Sequence, residues 1–172
     1  MKKLLFTLVA IVAFAVGANA QKAHLQFGYG GYTMMDCCDM HDGGSGVNTA
    51  WGAVTAGVDF DITRNLNLGA SYTFSSTDRK HNSENKFYYH VIMMNMKYDY
   101  YRNSIVTLYG HLGIGVDITH QTYGDYSQNK GYFAMQASPL GAQVDLSRSF
   151  TMFGELGFGA QGLLQVGFRV NL

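Results

Sequence analysis

The chain has 172 residues, of which 14% are charged, and its 12 basic and 12 acidic side chains balance. Soluble domains carry about 25% charged residues, so this composition disfavours an ordinary soluble domain. The lack of a basic excess argues against a nucleic-acid-binding protein. In place of charge the chain has 12 Tyr, 11 Phe and 21 Gly with a single Pro, a composition typical of strands that meet lipid on one side.

The beginning of the chain has the pattern of a cleaved export signal. Two lysines precede an apolar stretch at 4–16, which is too short to span a bilayer, because a spanning helix needs about 20 apolar residues. Ala-Asn-Ala at 18–20 supplies the small residues of a cleavage site. We therefore expect residues 1–20 to be a signal peptide and residues 21–172 to form one domain.

The remaining sequence predicts eight β-strands and no helix. Apolar residues alternate with small or polar residues over runs of about ten residues, which is the length that a tilted strand needs to cross a membrane. In chain order these runs lie at 23–32, 50–62, 66–75, 87–98, 106–116, 132–146, 150–158 and 164–172. The first, fourth, sixth and seventh runs are less regular than the others, and the parity of the fourth is ambiguous because of its three methionines.

The connections between the runs alternate in length. The short ones lie at 63–65, 99–104 and 147–149. The longer, polar ones are expected at 33–48, 76–86 and 119–131, and the last connection is tight. Short periplasmic turns and longer outer loops are typical of bacterial outer-membrane barrels. Pro139 lies inside the sixth run and predicts a β-bulge, because Pro cannot donate to a strand ladder.

The polar face of the runs indicates which side meets lipid. It is rich in Gly, Ser, Thr, Asn and Gln and poor in long charged side chains. Such residues fit the crowded interior of an eight-stranded barrel, which side chains just fill, and would make a poor solvent-facing surface. We therefore predict an all-β fold, an eight-stranded antiparallel up-and-down transmembrane β-barrel with a side-chain-filled lumen.

At this point the sequence resembles the small outer-membrane-protein β-barrel domains of the OmpX type. The resemblance is carried by Pro139-Leu140-Gly141, by the stretch from Glu155 to Gly159, and by a last strand that runs to Leu172, where the family usually has an aromatic residue. It implies the outer membrane of a Gram-negative cell as location, with outer-membrane lipid and the barrel-assembly machinery as partners. It implies little about activity, because function depends on sites rather than on folds.

The largest cluster of potential metal ligands lies in the first long loop, where Cys37, Cys38 and His41 occur among acidic residues and methionines. Thiolate, imidazole and carboxylate groups together could hold copper or zinc. Adjacent cysteines are poor ligands for one ion, and in an oxidising compartment they could instead form a disulfide with each other or with another chain. A solvated loop without a ligand is the third interpretation. The rest of the sequence indicates no cofactor.

A second constellation is a set of charged residues with lumen-facing parity. Its members are Asp59, Asp61, Lys97, Asp145, Glu155 and Arg169. Buried charges are costly unless they are paired, so we expect a structural network of ion pairs, with Arg169 bonded to Glu155 of the preceding strand. A path for protons or ions is the alternative.

Function follows least directly from the sequence. We expect a non-enzymatic barrel with a structural role or a surface interaction through its extracellular loops, which would bind an extracellular ligand. The second hypothesis is a lipid-modifying enzyme that uses His90, His120 and Ser127, although no motif sets these residues at a recognisable spacing. The third is a narrow passive channel, which the strand number disfavours because porin-sized pores need about 16 strands.

Overall fold

The computed structural model describes residues 22–37, 51–79, 82–123 and 126–172. Within these residues the chain forms a closed barrel in which each strand pairs antiparallel with its neighbours in sequence, and the last strand pairs with the first. The strands are β1 (Ala23–Gly30), β2 (Ala53–Asp61), β3 (Leu66–Arg79), β4 (Asn82–Arg102), β5 (Val106–Tyr123), β6 (Tyr126–Asp145), β7 (Phe150–Gly159) and β8 (Leu164–Asn171).

This architecture confirms the predicted eight-stranded antiparallel barrel. One short helix, α1 (Met34–Cys37), follows β1, and no helix in the described residues is long and apolar enough to span a membrane. The expected signal peptide at 1–20 lies outside the described residues.

The strands alternate between a large apolar outer face and a polar inner face. The methionines of β4 show this clearly, because Met93 is 1% exposed and faces the interior while the adjacent Met94 is 71% exposed. Polar interior positions such as Thr73 and Thr119 are fully buried. Alternation of this kind is what a membrane barrel requires, since lipid-facing and lumen-facing residues follow one another along each strand.

The bulge predicted at Pro139 is confirmed. The register between β6 and β7 shifts between Ala137 and Leu140. The register between β5 and β6 also shifts here, between Tyr109 and His111. An extra residue in one strand increases the local twist and lets both sides of the bulge keep their inward parity. The extra residue lies in β6, where Ser138 pairs with His111 and Gly141 pairs with Tyr109. Ser138 and Gly141 are therefore both on the buried inner face although they are three positions apart.

Two of the expected loops are largely strand. Residues 76–79 belong to β3 and residues 126–131 to β6, and the ladders reach the pairs Arg79–Asn82 and Tyr123–Tyr126. The expectation of irregular loops at 76–86 and 119–131 was therefore wrong. These segments extend beyond the lipid-facing band, so they lack the apolar stripe by which a membrane strand is recognised in sequence.

The barrel wall is consequently unequal in height. The four strands β3 to β6 have 14 to 21 residues, whereas β1, β2, β7 and β8 have 8 to 10. We call the end to which β3 to β6 extend the tall end and the opposite end the even end. At the even end the turns are short and the first and last strands meet, with the Leu172 amide donating to the Ala23 carbonyl over 2.9 Å.

The start of the first long connection covers the interior at the tall end. Thr33 caps α1 through a 2.7 Å hydrogen bond from its hydroxyl to Asp36 Oδ2, and the Thr33 amide donates to the same oxygen. Met35 is buried and belongs to an apolar cluster together with Phe87, Tyr89, Val91, Met93, Ala134 and Ala160. The upper interior therefore combines this apolar cluster with buried polar residues such as Thr119 and Gln121, whereas the lower interior is polar and charged.

Candidate functional site

The centre of the lower interior is the carboxylate of Asp59 on β2. Lys97 Nζ lies 2.9 Å from Asp59 Oδ2, and Arg169 Nη2 lies 3.2 Å from the same oxygen. Lys97 also donates to Gln26 of β1, and Arg169 donates to Gln143 of β6 over 3.2 Å. Hydrogen bonds therefore cross the interior between five strands, and every charge in this group has an opposite charge or a polar partner, as burial requires.

Aromatic rings enclose the Lys97 ammonium group. Its Nζ lies 5.9 Å from the ring centroid of Tyr109 and 5.6 Å from that of Phe153. A cation over an aromatic face is stabilised by the ring quadrupole. Phe153 packs in turn over the paired glycines Gly28 and Gly167 of the β1–β8 seam, where only residues without a side chain leave room for the ring.

A second acidic centre lies at Glu155 on β7. Its carboxylate accepts a 2.8 Å hydrogen bond from the Tyr109 hydroxyl and lies 2.8 Å from His111 Nδ1. The other ring nitrogen of His111 lies 3.2 Å from Asn95 Oδ1. Asn95 donates to Ser71, which also accepts from Gln161 of the last connection. These side chains thus form one hydrogen-bond network around Glu155.

The even end of the barrel has its own polar rim. Asp61 Oδ1 lies 3.0 Å from His24 Nε2 and accepts a 2.7 Å hydrogen bond from Asn67. His24 Nδ1 lies 2.8 Å from Asn171 Oδ1 on β8. Asp145 is exposed and accepts from the Thr151 hydroxyl over 2.7 Å. These bonds tie the strand ends together on both sides of the β1–β8 seam.

The structure thus distributes the six charged residues expected in one network over three sites. Asp59, Lys97 and Arg169 meet at the centre, Glu155 lies at the second centre, and Asp61 and Asp145 lie at the rim. The expected Arg169–Glu155 pair was wrong. Arg169 is paired in register with Thr151, whereas Glu155 is paired with Gln165.

The sequence did not identify the partners of these charges, among them His24, Gln26, Tyr109 and His111. Each occupies a lumen-facing position of its run, so the alternation of side chains could have identified it as an interior residue. The pairing of Gln26, Tyr109 and His111 could not be found in the same way, because it joins strands that are not adjacent in the wall.

The expected metal site falls mostly outside the described residues. Cys38 and His41 lie there, and Cys37 is described only as the last backbone position of α1. In the described part of the chain no group of three or more His, Cys, Asp or Glu side chains could hold a metal ion. Copper or zinc binding by Cys37, Cys38 and His41 stays a prediction.

The residues considered for lipid chemistry lie on the outer surface of the tall end. His90 Nδ1 lies 2.7 Å from the Tyr72 hydroxyl, and His120 Nδ1 lies 2.6 Å from Asn129 Oδ1. Asp117, the acidic residue closest to His120 in sequence, is buried on the opposite face of the wall. Neither histidine is joined to a carboxylate among the described contacts, and Ser127 is exposed on a separate strand.

Comparison with known proteins decides the family. A model of the outer membrane protein beta-barrel domain matches residues 6–168. The chain belongs to this family. The match spans nearly the whole sequence and agrees with the observed strand order and closure. It establishes an outer-membrane barrel and leaves the specific activity open, because unrelated functions share this fold.

Solved structures of two outer-membrane barrels are similar to this chain. The N-terminal β-barrel domain of Pseudomonas aeruginosa OprF superposes with a TM-score of 0.61 at 10% identity, covering 88% of this chain and 97% of that one. The attachment invasion locus protein Ail of Yersinia pestis gives a TM-score of 0.49 at 12% identity, covering 87% and 93%. A comparison with curated proteins gave no match. The OprF likeness supports the fold alone.

Proposed function

We propose that this outer-membrane barrel is a non-enzymatic surface-interaction protein that binds an extracellular ligand through the projecting ends of β3 to β6. The observation that carries the proposal is the unequal wall. β2 and β3 are last paired at Ala53–Ser75, and β6 and β7 at Gln136–Gly159. Among the described residues, β3 to β6 alone continue beyond these pairs, as a four-stranded sheet.

The projecting sheet has the properties of a contact surface. In the described residues, 126–131 of β6 pair with β5 on one side only, so the other side offers backbone groups to a partner strand. Ser127, Gln128 and Asn129 are exposed there, and the sheet is held from below by a barrel whose interior is bonded across. A rigid support for a polar, exposed edge favours recognition of another macromolecule over catalysis.

The interior argues against the channel hypothesis. Asp59, Lys97 and Arg169 are bonded across the lower lumen and are almost fully buried, and Met35 is buried in the apolar cluster of the upper lumen. The enzyme hypothesis lacks an acidic partner for His90 or His120 among the described contacts. We therefore place the function at the outer surface, with no cofactor required.

The proposal is tested on whole cells that display the barrel. Ser127, Gln128 and Asn129 are replaced together by Lys, and binding to surfaces coated with serum proteins is compared with that of cells that display the wild type. We expect binding to be lost in this variant and kept in a control with Ser147→Lys and Ser149→Lys in a turn at the other end. Equal binding by cells that lack the barrel would contradict the proposal.

Two further measurements separate the alternatives. A barrel without a pore gives no single-channel conductance in planar bilayers, and a barrel without lipid chemistry leaves the lipid A composition of a deletion strain unchanged. A heat-modifiable gel band and recovery in the outer-membrane fraction check that each variant is folded and placed. Conductance in steps or a changed lipid A profile would replace the proposed role by the corresponding alternative.

A further inference from the structure

The lipid-facing surface carries an apolar groove across the seam where the barrel closes. It has a volume of about 420 Å³ and runs over β7, β8 and β1. Its floor is the backbone of the paired Gly28 and Gly167. Its walls are aromatic or aliphatic side chains: Phe27, Tyr29, Phe150, Met152, Val166 and Phe168.

Packing between the wall residues defines the shape of the groove. The rings of Phe27 and Phe168 lie 5.4 Å apart between centroids, and those of Phe150 and Phe168 lie 5.6 Å apart. These contacts form a continuous aromatic row across three strands, and such pairs add stability beyond the area that they bury. The groove lies beside this row, and its apolar lining matches the chemistry of a hydrocarbon chain.

The even end of the groove meets basic residues. Phe150, the first residue of β7, comes directly after the turn that contains Arg148. Lys22 immediately precedes β1 on the other side of the seam, at a position with the parity of the lumen-facing His24, so its side chain reaches the groove only around the rim. The turn is fixed to the seam, because Asn171 of β8 donates a 3.0 Å hydrogen bond to the Arg148 carbonyl. Both basic side chains are exposed. Among the described residues, neither has a carboxylate within 4.0 Å.

We propose that this seam binds one phospholipid of the inner leaflet, with an acyl chain in the groove and the phosphate between Arg148 and Lys22. Basic side chains at the surface of a membrane attract anionic head groups. The even end carries the short turns that face the periplasm in barrels of this kind, so its head-group level belongs to the inner leaflet. An apolar groove therefore leads to two cations that have no carboxylate partner among the described residues, and a phospholipid has its acyl chain and its phosphate in the same order.

A second copy of the chain fits this surface less well. Two barrels in one membrane have the same orientation, so a twofold contact at the seam would bring the basic residues of both copies to the same level. Like charges facing each other across an interface are unfavourable. A phospholipid instead supplies the opposite charge.

A turn elsewhere in the barrel provides a matched control. Residues 62–65 and 146–149 read Ile-Thr-Arg-Asn and Leu-Ser-Arg-Ser, and their first two amides donate to the carbonyls of Leu66 and Phe150 in the same pattern. Arg64 therefore has the same local setting as Arg148, but its turn joins β2 and β3, which contribute no residue to the groove.

The test uses the full mature barrel released from outer membranes in mild detergent. Native mass spectrometry measures how much phosphatidylglycerol the protein retains, compared with diacylglycerol of the same acyl chains, which lacks the phosphate. We expect preferential retention of phosphatidylglycerol. Retention should fall about fivefold for each of Lys22→Gln and Arg148→Gln, because a basic residue near a head group contributes about 1 kcal/mol. Arg64→Gln should change nothing.

A second pair of variants tests the groove itself. Val166→Trp fills it, while Val116→Trp introduces the same side chain on β5 at a lipid-facing position with the same 51% exposure. We expect Val166→Trp to lower retention of both lipids and Val116→Trp to leave it unchanged. Equal retention of both lipids by the wild type, or equal effects of Arg64→Gln and Arg148→Gln, would overturn the proposal. A dimer that Val166→Trp abolishes would assign the groove to a second copy. The charge variants lie outside the strands, so they decide the question even if Val166→Trp does not fold.

Discussion

Arg169 of β8 donates a 3.2 Å hydrogen bond to Asp59 of β2 across the interior of the barrel. The two residues are separated by β1 in the wall, so the bond spans the seam at which the chain closes on itself. The same Asp59 oxygen is shared with Lys97. Asp59 is therefore the residue on which the charge balance of the interior depends.

The first prediction compares the members of this group. Asp59→Asn leaves two buried cations without their counter-ion, and we expect it to lower the free energy of unfolding by about 3–5 kcal/mol. Arg169→Met should cost less, because Lys97 still lies 2.9 Å from the carboxylate. Urea unfolding of the barrel refolded in lipid vesicles measures both values.

Two controls accompany this comparison. Arg64→Met, in an exposed turn, should change the free energy of unfolding by less than about 0.5 kcal/mol. A triple variant with Asp59→Asn, Lys97→Met and Arg169→Met should recover much of the loss, because it removes all three buried charges together. A larger effect of Arg169→Met than of Asp59→Asn would contradict the observed arrangement.

The second prediction concerns the carboxylate of Glu155. Tyr109→Phe removes one hydrogen bond and should cost about 1 kcal/mol, since His111 continues to hold the carboxylate. With Glu155→Gln in place, the further cost of Tyr109→Phe should shrink, because the charged acceptor is gone. A double-mutant cycle should therefore give a coupling of about 0.5–3 kcal/mol. The same cycle between Tyr109→Phe and Asp145→Asn at the rim should give additive effects.

The third prediction uses two glycines in unlike surroundings. A side chain at Gly167 would run into the Phe27 carbonyl and approach Phe153 Cζ to 2.6 Å, so Gly167→Ala should destabilise the barrel by about 1–3 kcal/mol. Gly131 has no atom near the equivalent position, so Gly131→Ala should stay within about 0.5 kcal/mol of the wild type. Thermal or urea unfolding that showed equal losses would contradict the packing at the seam.

The fourth prediction concerns the loop after α1. If Cys37, Cys38 and His41 bind a metal ion, the purified protein carries copper or zinc, and replacing the three residues by Ala removes it. Elemental analysis of both proteins after the same purification gives the answer. The heat-modifiable mobility of the variant should match that of the wild type if the barrel folds normally. Protein that stays metal-free when copper and zinc are added would end the hypothesis.

The sequence predicted those features that depend on side-chain alternation. Strand number, closure and the bulge at Pro139 follow from parity and from the missing Pro amide, which are local properties. The partner of Arg169 depends on the level at which strands pair around the whole wall. Each turn and bulge shifts the position of a residue along the barrel axis. The alternation therefore placed Glu155 and Arg169 on the inner face but could not tell whether they lie at the same depth.

The extent of β3 to β6 was missed for a different reason. Apolar and polar residues alternate where one face of a strand meets lipid and the other meets the lumen. This requirement ends where the strands leave the membrane. Beyond it both faces of β6 are exposed, as at Gln128 and Asn129. Backbone pairing continues there without a hydrophobic pattern that would reveal it.

The closure of the wall also constrains the order in which the molecule can be built. His24 and Asn171, which lie 2.8 Å apart, are separated by 147 positions in the chain, and bringing such distant segments together carries a large entropic cost before any contact is gained. β1 cannot pair with β8 until the last residues of the chain have crossed the inner membrane. Completion of the barrel is therefore a post-export event, and until then both edges of the unfinished sheet need protection from other chains.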